Sequence, residues 1–592
     1  MIKKLTVLML FLAFGSMVMG QDLPRDFSQE ELEQMKTYKR PPVFPTDDNN
    51  PPPGSVRTMA EWEELQALQI TWVDNPNHRV ILRSIVDYAQ EECLVYIICA
   101  TSGPNDSNNI KTFLTNGGVP HTNVKFLATP SNSIWCRDYG PWTVYSDVAD
   151  TMRIIDWIYN RPTRPQDDAT PQFIANYMGV PIHRTLQAPN DLVNTGGNFM
   201  VDGHGTGFAS DLILRENDFY AWYYGVSVKT ENQINGIMNS YMGLNRYIKM
   251  DTLPYDQIHH IDMHIKLLDE ETLLVGQYPP GVADGPQIEA NLQYVLNNFQ
   301  TCFGKPYKVV RIPMPPHNGN YPPSGNYRTY TNSVIVNKTI IVPTYQAQYD
   351  TTALRIYREA MPGYKVYGIN CNNIIGSLGA IHCITKEIGV SEPVFISHSA
   401  VRDNNNTTNP YPVKAYIKTK SGVNNAKLFW RTDTTMAYNQ VNMSVAGDTF
   451  TASIPAQNLG TKVYYYISAT SNSGKTVTKP LPAPAGYIKF NIDNPTSITG
   501  NNGNVLNYGL AQNYPNPFNP TTEINFAIPT SEHVSLKVYD LSGKLVRTLI
   551  DDFRSAGSYR INFNADGLSS GVYFYKLTSG SFTQVKKMTL IK

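Results

Sequence analysis

Gly379-Ala380-Ile381-His382-Cys383-Ile384-Thr385 holds one cysteine in a mostly apolar run that begins with small residues. A thiolate is the best protein nucleophile for an electron-poor carbon near neutral pH. A single cysteine in apolar surroundings is more often a core residue, because free cysteines are among the most buried side chains. A catalytic role for Cys383 therefore depends on partners elsewhere in the sequence.

The region around this stretch, from residue 57 to residue 397, predicts an α/β fold. Short apolar runs that are typical of buried strands, such as Leu94–Ala100 and Val334–Val336, alternate along the chain with helix-like segments. Two of these helical segments are Pro76–Glu92 and Asp350–Ala360. We expect a sheet-based domain whose loops carry the chemistry.

The segment 260–264 carries three side chains that suit catalysis or metal binding. If it is a strand, His260, Asp262 and His264 share one face, because side chains alternate along a strand. Such a set suits a zinc site, or a histidine that acts as a general acid/base beside a carboxylate that binds the substrate. It also suits the polar end of a strand that has only a structural role. The segment by itself leaves all three alternatives open.

Asp138 lies in a turn-forming segment that is rich in aromatic residues, from Trp135 to Trp142. A carboxylate can bind a guanidinium in a bidentate pair, and the indole of Trp135 or Trp142 can stack on the flat cation. The alternative is that Arg137 and Asp138 form an ordinary ion pair in a surface turn.

Together these segments resemble the guanidine-modifying superfamily, most closely the branch of agmatine deiminases and secreted bacterial peptidylarginine deiminases. The matching segments, in the order of the family, are Trp135–Pro141, Gly196-Gly197-Asn198 to Asp202-Gly203, His260–Asp262, Tyr330-Thr331-Asn332-Ser333 and Gly379–Thr385. The resemblance implies that residues 56–398 form a five-bladed α/β propeller, the pentein fold, with the site at its centre. It also implies chemistry without a metal or cofactor.

The resemblance assigns a role to each matching residue. Cys383 attacks the guanidinium carbon, and Asp138 and Asp262 hold the guanidinium nitrogens. His260 protonates the departing ammonia and later activates water. Asn332 helps to position the cysteine or the substrate. One thiol would divide a difficult displacement into two easier steps, while the two carboxylates keep the substrate charged and oriented.

A second resemblance concerns the substrate. Residues 156–168 resemble the segment that places two arginines on the terminal carboxylate of the substrate in secreted bacterial peptidylarginine deiminases. The matching residues are Arg161 and Arg164, and Arg161 matches more closely because Thr163 lengthens the spacing. A guanidinium fork binds a carboxylate well, whereas exposed loop arginines are common. Trp135 would contact the substrate as well.

Three functions follow from these resemblances. The first is hydrolysis of peptide or protein arginine to citrulline, with C-terminal arginine as the expected form. The second is an agmatine deiminase-like reaction that makes N-carbamoylputrescine. The third is an exported binding or adhesion protein built on an inactive propeller.

Charge balance, hydropathy and cysteine spacing argue against nucleic-acid binding, membrane spans and a disulfide-rich fold. Lys+Arg and Asp+Glu both number 49, which gives no support for nucleic-acid binding. Beyond residue 20 no run of about 18 apolar residues predicts a membrane span. Cys93 and Cys99 bracket a strand-like run that separates them by roughly 20 Å, beyond disulfide reach. We expect few or no disulfides among the six cysteines.

The two ends of the chain indicate export. Residues 1–20 combine Lys3 and Lys4 with an apolar run and small residues, as a signal peptide does, and residues 21–55 form a Pro-rich leader with no core of its own. In residues 411–492, apolar and polar residues alternate along short segments, as they do in an immunoglobulin-like β-sandwich. The strands predicted in this sandwich are Val413–Ile417, Ala426–Trp430, Phe450–Ile454, Lys462–Ala469 and Tyr487–Ile492.

Residues 508–592 predict a second small sandwich after a Pro-punctuated turn. The strands predicted in it are Val534–Tyr539, Lys544–Leu549, Gly557–Asn564, Gly571–Leu577 and Thr583–Ile591. The run from Gln512 to Pro520, the turn 539–544 and the strand 571–575 resemble the C-terminal sorting domain of type IX secretion substrates. This implies carriage across an outer membrane by that machinery, to a secreted or cell-surface location.

Overall fold

The computed structural model describes residues 23, 25–41, 47–492, 508–530, 532–554, 557–580 and 582–591. The predicted signal peptide and the segment 493–507 lie outside these residues. The chain forms two compact units, one containing most residues up to 491 and the other most residues from 492 onward.

Five small sheets in the first unit repeat one arrangement. In each sheet an antiparallel pair of strands is joined by a third strand that runs parallel to the second, and a helix lies in the crossover between them. A parallel pair needs such a crossover, because the chain must return to the same end of the sheet. This repeat confirms the α/β prediction.

The five sheets contain the following strands, in spatial order: Val56–Thr58, Trp142–Ser146, Met152–Asp156 and Ile182–Arg184; Met200–Val201, Thr206–Ser210 and Arg246–Met250; Ile265–Asp269, Thr272–Gln277 and Lys308–Pro313; Val334–Val336, Thr339–Thr344 and Lys365–Asn370; Lys386–Gly389, Leu65–Thr71, Leu94–Cys99 and Val124–Ala128. In the fifth sheet Lys386–Gly389 pairs with Leu65–Thr71, so it joins the two ends of the deiminase region. A short parallel pair links Ile158–Tyr159 to Val193–Asn194.

The helices of this region are Pro76–Ala89, Ser107–Asn116, Cys136–Tyr139, Pro165–Asp168, Thr170–Met178, Leu212–Asn217, Ala221–Tyr224, Glu231–Met242, Gly285–Asn298 and Ala347–Ala360. Helix Pro76–Ala89 begins after Asn75, whose side chain accepts from the main-chain N–H groups of the first turn. Its buried residues include Ile81, Leu82, Ile85 and Val86, which have the spacing of an amphipathic helix. The predicted helices Pro76–Glu92 and Asp350–Ala360 are confirmed, with boundaries shifted by three residues.

One structural position recurs in every repeat, and the sequence motifs occupy it. Short turns precede the first strand of each antiparallel pair, and they are formed by Cys136–Tyr139, Gly196–Asn198, Ile261–Met263, 331–333 and His382–Ile384. Equivalent positions in equivalent sheets bring these turns together. Four of them form a continuous series of contacts, and residues 331–333 join them because Thr331 donates to the carbonyl of Asp262 and the carbonyl of Asn332 accepts from His382. The repeat therefore explains how five distant motifs meet at one place.

The segment 260–264 is not a strand. His260 precedes a 3-10 turn, Ile261–Met263, and the strand begins only at Ile265. Main-chain N–H groups of Met263 and His264 donate to carbonyl groups three residues earlier, and this local bonding replaces strand pairing. The strand alternative for this segment is therefore wrong.

The leader contains a helix that the sequence analysis did not predict. Gln29–Met35 begins at a capping box, in which Ser28 and Glu31 bond to each other's main-chain N–H groups. Glu31 and Met35 are buried. A short 3-10 turn, Asp47–Asn49, follows near the end of the leader.

The region 411–492 forms two antiparallel sheets, and its predicted strands are confirmed. Their strands are Phe395–Ser397, Tyr411–Lys418, Thr449–Ile454 and Ser444–Ala446 in one sheet, and Asn439–Asn442, Val423–Arg431, Lys462–Ser471, Thr476–Lys479 and Ile488–Asn491 in the other. Phe395–Ser397 lies in the range assigned to the deiminase but pairs with Tyr411–Lys418. The immunoglobulin-like class remains a prediction.

The second unit consists of strands, as predicted. They are Gly509–Leu510, Thr521–Ile528 and Gly557–Asn564 in one sheet, and Leu545–Arg554, Glu532–Asp540, Gly571–Ser579 and Phe582–Leu590 in the other. Thr521–Ile528 was not among the predicted strands, although its alternating burial is regular. The Pro-rich turn before it is held by Asn513, whose side-chain amide donates to Pro515 and Thr522.

All six cysteines are free, and the strand Leu94–Cys99 between Cys93 and Cys99 is present as predicted. Within the part of the chain that the structure describes, no helix is long and apolar enough to cross a membrane.

Candidate active site

The five motif turns surround one guanidinium group, and it belongs to the chain itself. Arg25 of the leader extends its side chain into the centre of the site, where it is fully buried. Its Nη1 donates to the carbonyl oxygen of Leu378 over 3.1 Å, next to the cysteine turn. The leader therefore places a peptide-bound arginine among the predicted catalytic residues.

Asp138 binds this guanidinium through both carboxylate oxygens. Nε of Arg25 donates to Oδ2 over 3.1 Å, and Nη2 donates to Oδ1 over 3.2 Å. The main-chain N–H of Gly197 also donates to Oδ1, over 3.1 Å. A bidentate pair with an additional donor fixes both the position and the rotation of the carboxylate. Arg137 and Asp138 are buried, so they do not form the surface pair considered above.

Asp262 lies on the other side of the guanidinium. Its Oδ2 is 3.6 Å from Nη2 of Arg25 and 2.8 Å from Nδ1 of His382. Burial raises the pKa of Asp262, but Arg25 and His382 outweigh burial and lower the pKa to about 2. The group is therefore a carboxylate at neutral pH, and it can hold a cationic substrate.

His260 contacts the same nitrogen of the guanidinium. Nη2 of Arg25 donates to Nδ1 of His260, which lies 3.7 Å from Oδ1 of Asp138. Burial and the positive charge of Arg25 lower the pKa of His260 well below its ordinary value, although Asp262 opposes this. The imidazole is neutral before the reaction and is placed to exchange a proton at Nη2.

Cys383 and Asn332 form the remaining side of the centre. Nδ2 of Asn332 donates to Sγ of Cys383 over 3.0 Å, while Oδ1 accepts from the main-chain N–H groups of Ala380 and His382. Sγ is also 3.6 Å from Oδ2 of Asp262. Asn332 thus holds the cysteine turn and places a hydrogen-bond donor on the sulfur.

The pKa of the Cys383 thiol is raised well above its ordinary value. Burial is the main cause, and the charges of Asp262 and Asp138 add to it, whereas the Arg25 guanidinium lowers the pKa. A cation in the site therefore favours the thiolate form of Cys383.

Two glycines are required by the close approach of these groups. A Cβ on Gly379 would lie 2.6 Å from the indole of Trp135 and 2.9 Å from Sγ of Cys383. A Cβ on Gly197 would collide with the guanidinium of Arg25 and the ring of His260. Both positions therefore exclude a side chain, which explains the glycines in these two motifs.

Arg161 and Arg164, here called the arginine pair, bind the main chain of the leader. Nε of Arg161 donates to the carbonyl oxygen of Arg25 over 3.1 Å, and Nη2 of Arg164 donates to that of Asp26 over 2.9 Å. Arg161 also forms an ion pair with the Asp26 carboxylate. Both arginines are buried, which excludes the solvated-loop alternative.

Trp135 contacts the leader by a different interaction from the predicted stacking. Its indole Nε1 donates to the carbonyl oxygen of Leu23 over 2.8 Å. The cation that stacks on Trp142 is Lys386, with Nζ 3.5 Å from the ring centre. Trp142 therefore belongs to the packing beside the site.

His264 is buried, and burial lowers its pKa to about 4. Neither ring nitrogen has a hydrogen-bond partner among the described residues. Those residues also form no group of three or more potential metal-ligating side chains.

Sequence reasoning assigned no role to His382 or Glu61. The two ring nitrogens of His382 lie 2.8 Å from Asp262 and 3.2 Å from Glu61, and Glu61 also forms an ion pair with Lys266. His382 therefore holds the carboxylate of Asp262 in its orientation. Its position directly before the cysteine was a usable signal, whereas nothing near Arg25 or Glu61 in the sequence connects them with the motifs.

A cavity of about 350 Å³ lies away from this centre, between the deiminase sheets and the β-sandwich. It is lined by Trp62, Glu270, Tyr364, His398 and Lys479, among others, and by none of the site residues.

The fold and the site define a deiminase that acts on guanidinium groups. The sequence profile of the Porphyromonas-type peptidyl-arginine deiminase family matches residues 57–388, more than half of the chain, and the chain belongs to this family. The profile of the secretion system C-terminal sorting domain matches residues 512–592. The resemblance to the deiminase family and the resemblance to the sorting domain are confirmed, and the sorting domain indicates export to a secreted or cell-surface location.

Among the relatives, a protein of Vibrio parahaemolyticus with the provisional name agmatine deiminase is 25% identical over 298 residues, which cover 45% of this chain and 79% of that protein. A protein of a Shewanella species with the same provisional name is 26% identical over 361 residues, which cover 56% and 93%. A solved structure provisionally named agmatine deiminase aligns with a TM-score of 0.50 at 20% identity, over 57% of this chain and 96% of that one. This last similarity supports the fold.

Proposed function

We propose that the protein is a secreted hydrolase that converts arginine residues of peptides or proteins to citrulline and releases ammonia. The observation that carries the proposal is Arg25, a peptide-bound arginine whose guanidinium fills the site. Its main chain continues past the site in both directions and is bound by Trp135 and the arginine pair. The site thus accommodates a guanidinium that is attached to a polypeptide.

In the first step, Sγ of Cys383 attacks the guanidinium carbon, and the bond from that carbon to Nη2 breaks. His260 takes up the proton that the thiol loses and passes it to Nη2, which leaves as ammonia. The product is a cationic thiouronium on Cys383. Asp138 and Asp262 remain paired with this cation, so the charge they stabilise is kept through the step.

In the second step, water attacks the thiouronium carbon while His260 accepts a proton from it. The carbon–sulfur bond breaks, the Cys383 thiol is restored, and a neutral ureido group remains. The released proton is taken up by ammonia, so arginine and water give citrulline and ammonium. Asn332 stabilises the sulfur as it enters and leaves, through the 3.0 Å contact of Nδ2 with Sγ.

Arg161 supports a preference for arginine at the C-terminus. Its Nε binds the carbonyl oxygen of Arg25, which is the position that one oxygen of a terminal carboxylate would take. A carboxylate there would receive a charge-assisted hydrogen bond, roughly twice as strong as one to a neutral carbonyl.

Agmatine is the second candidate substrate, because the relatives carry the provisional name agmatine deiminase. Agmatine has a guanidinium but no peptide group or carboxylate. It would use Asp138 and Asp262, and it would offer no main-chain carbonyl to Nε of Arg161 or to the indole N–H of Trp135.

We further propose that the five sheets are the blades of a closed propeller with Cys383 at its centre. The recurrence of the motif turns at one position of each repeat supports this. The sorting-domain match supports passage across an outer membrane by the type IX machinery, after removal of residues 1–20.

An assay of the purified full chain tests the function. The Arg25→Gln variant is used beside wild type, because glutamine is neutral and does not form the ion pair with Asp138. Both are offered peptides with C-terminal or internal arginine, free arginine and agmatine, and citrulline and ammonia are measured. We expect peptides to have the highest kcat/KM. Preference for agmatine would support the second candidate, and inactivity on every compound would support the binding or adhesion alternative.

A further inference from the structure

We propose that Arg25 is itself a substrate, so that the enzyme converts its own leader arginine to citrulline and thereby loosens the leader. The inference rests on the proposed function and extends it to a modification site within the chain. It starts from the position of Arg25, which lies in the site as a reactant would.

The contacts of Arg25 distinguish its three nitrogens. Nε bonds only with Asp138, and Nη1 with the carbonyl oxygen of Leu378 and weakly with a methionine sulfur. Nη2 alone meets Asp138, Asp262 and His260 together. Nη2 is therefore the nitrogen that can receive a proton as it leaves, which matches the reaction geometry required of any substrate.

The sulfur of Cys383 lies near the same carboxylate as Nη2 of Arg25. Sγ of Cys383 and Nη2 of Arg25 both lie 3.6 Å from Oδ2 of Asp262. Asp138, Cys383 and Asp262 together outweigh burial and raise the pKa of Arg25 well above its ordinary value, so the guanidinium is charged. The charged guanidinium of Arg25 therefore lies beside a cysteine, two carboxylates and a neutral imidazole, which are the groups that the reaction uses.

The leader is also held outside the reacting centre, which keeps Arg25 in place. Glu31 accepts from Nε of Arg164 over 2.7 Å and from Oγ1 of Thr163 over 2.9 Å. The guanidinium of Arg161 lies over the ring of Phe27 at 4.6 Å. These contacts bring the guanidinium to Cys383 within one molecule, which makes the attack intramolecular.

Conversion removes the positive charge that the site binds. The attack of Cys383 on the Arg25 carbon breaks the bond to Nη2, ammonia leaves, and water replaces it as described above for other substrates. The resulting ureido group is neutral, so Asp138 and Asp262 lose their partner while they stay buried. A buried carboxylate without a cation is unfavourable, and this weakens the hold on Leu23 and residues 25–28. Release of this segment then admits an external substrate.

The test is mass spectrometry of the leader peptide from the purified full chain. We expect nearly complete citrulline at Arg25 in wild type and none in Cys383→Ala. Arg40 is the internal control, because it lies in the same leader but donates to Leu186 rather than entering the site. Citrulline at both arginines, or at neither in a chain that deiminates peptides, would overturn the proposal.

A mixing experiment tests the intramolecular step. Active Arg25→Gln enzyme is incubated with the Cys383→Ala chain, which keeps Arg25 but lacks the nucleophile. We expect Arg25 of the inactive chain to stay arginine, while an added arginine peptide is converted in the same tube. Conversion of that Arg25 would show modification between molecules and overturn the intramolecular claim. If the added peptide is also unchanged, the proposed function itself fails, which separates the two failures.

The consequence of conversion is tested with Arg25→Lys. Lysine keeps the positive charge for Asp138 but has no guanidinium carbon, so it cannot be converted. We expect this variant to turn over external peptides at least tenfold more slowly than Arg25→Gln. Equal rates in the two variants would show that charge at this position does not hold the leader.

Discussion

Two buried ion pairs hold the leader, and their charges are reversed. At the reacting centre the leader supplies the cation, Arg25, and the deiminase supplies the carboxylates Asp138 and Asp262. Six residues further along the chain, the leader supplies the carboxylate of Glu31 and the deiminase supplies Arg164. Among the described residues, the first place has the proposed nucleophile Cys383 beside it and the second has no cysteine, so we expect the first ion pair to hold a reactant and the second to serve as an anchor.

The largest expected effect is at the nucleophile. Cys383→Ala should abolish deimination, by at least about a thousandfold, because a covalent nucleophile has no substitute in the site. The measurement is citrulline formation by the full chain. Cys136→Ala is the matched control, since Cys136 is equally buried but its Sγ contacts the carbonyl of Gln69. Residual activity of the Cys383 variant above about 1% would contradict the covalent mechanism.

Asp138→Asn should lower kcat/KM by about a hundredfold or more, because it removes a buried charge from an ion pair worth roughly 3–5 kcal/mol. The change keeps the shape of the side chain and the N–H contact from Gly197. Asp202→Asn is the control, because Asp202 is also buried but binds main-chain N–H groups. Similar losses in both variants would show that a buried charge matters only for folding.

Arg161→Ala should raise KM about 10-fold to 150-fold for peptides that end in arginine and leave agmatine turnover unchanged. A charge-assisted hydrogen bond contributes roughly 1.5–3 kcal/mol, and agmatine has no carboxylate to feel its loss. Arg164→Ala is the comparison, because Arg164 contacts Asp26 and Glu31 rather than Arg25. Equal loss on peptides and agmatine would make Arg161 a structural residue.

Low pH should weaken the ion pair between Glu31 and Arg164, which anchors the leader. Burial raises the pKa of Glu31, but Arg164 outweighs it and lowers the pKa from 4.5 to about 2. A lowered pKa stabilises the docked leader fully above pH 4.5, and this contribution is lost as the pH falls toward 2. Limited proteolysis should cut the leader faster over that range. Glu31→Gln should remove this pH dependence, and an unchanged pH profile in that variant would assign it to other groups.

Chelation should have no effect on activity. The site residues are occupied with the guanidinium or with one another, and His260 and Asp262 are assigned to proton transfer and substrate binding. Turnover is measured before and after treatment with EDTA. Loss of activity that zinc or calcium restores would revive the metal alternative for residues 260–264.

The fold could be predicted from sequence to the level of its repeated strands and helices. Segments such as Leu94–Cys99 and Pro76–Ala89 can be recognised in the sequence, because the spacing of their apolar residues matches the period of the strand or helix that they form. The segment 260–264 shows the limit of this approach. Its alternation fits a strand, yet local three-residue bonding forms a turn, and the turn still presents His260 and Asp262 to the guanidinium.

The sequence by itself determined the chemistry of this protein. The motifs supply a thiol, two carboxylates, an imidazole and an amide, which are the groups that binding and attack of a guanidinium require, and their order along the chain matches the deiminase family. The sorting motif likewise specified export. Only the tertiary structure decided what occupies the site. Arg25 lies 113 residues from Asp138 and 353 from Leu378, and no local pattern encodes a contact between segments so far apart in the sequence.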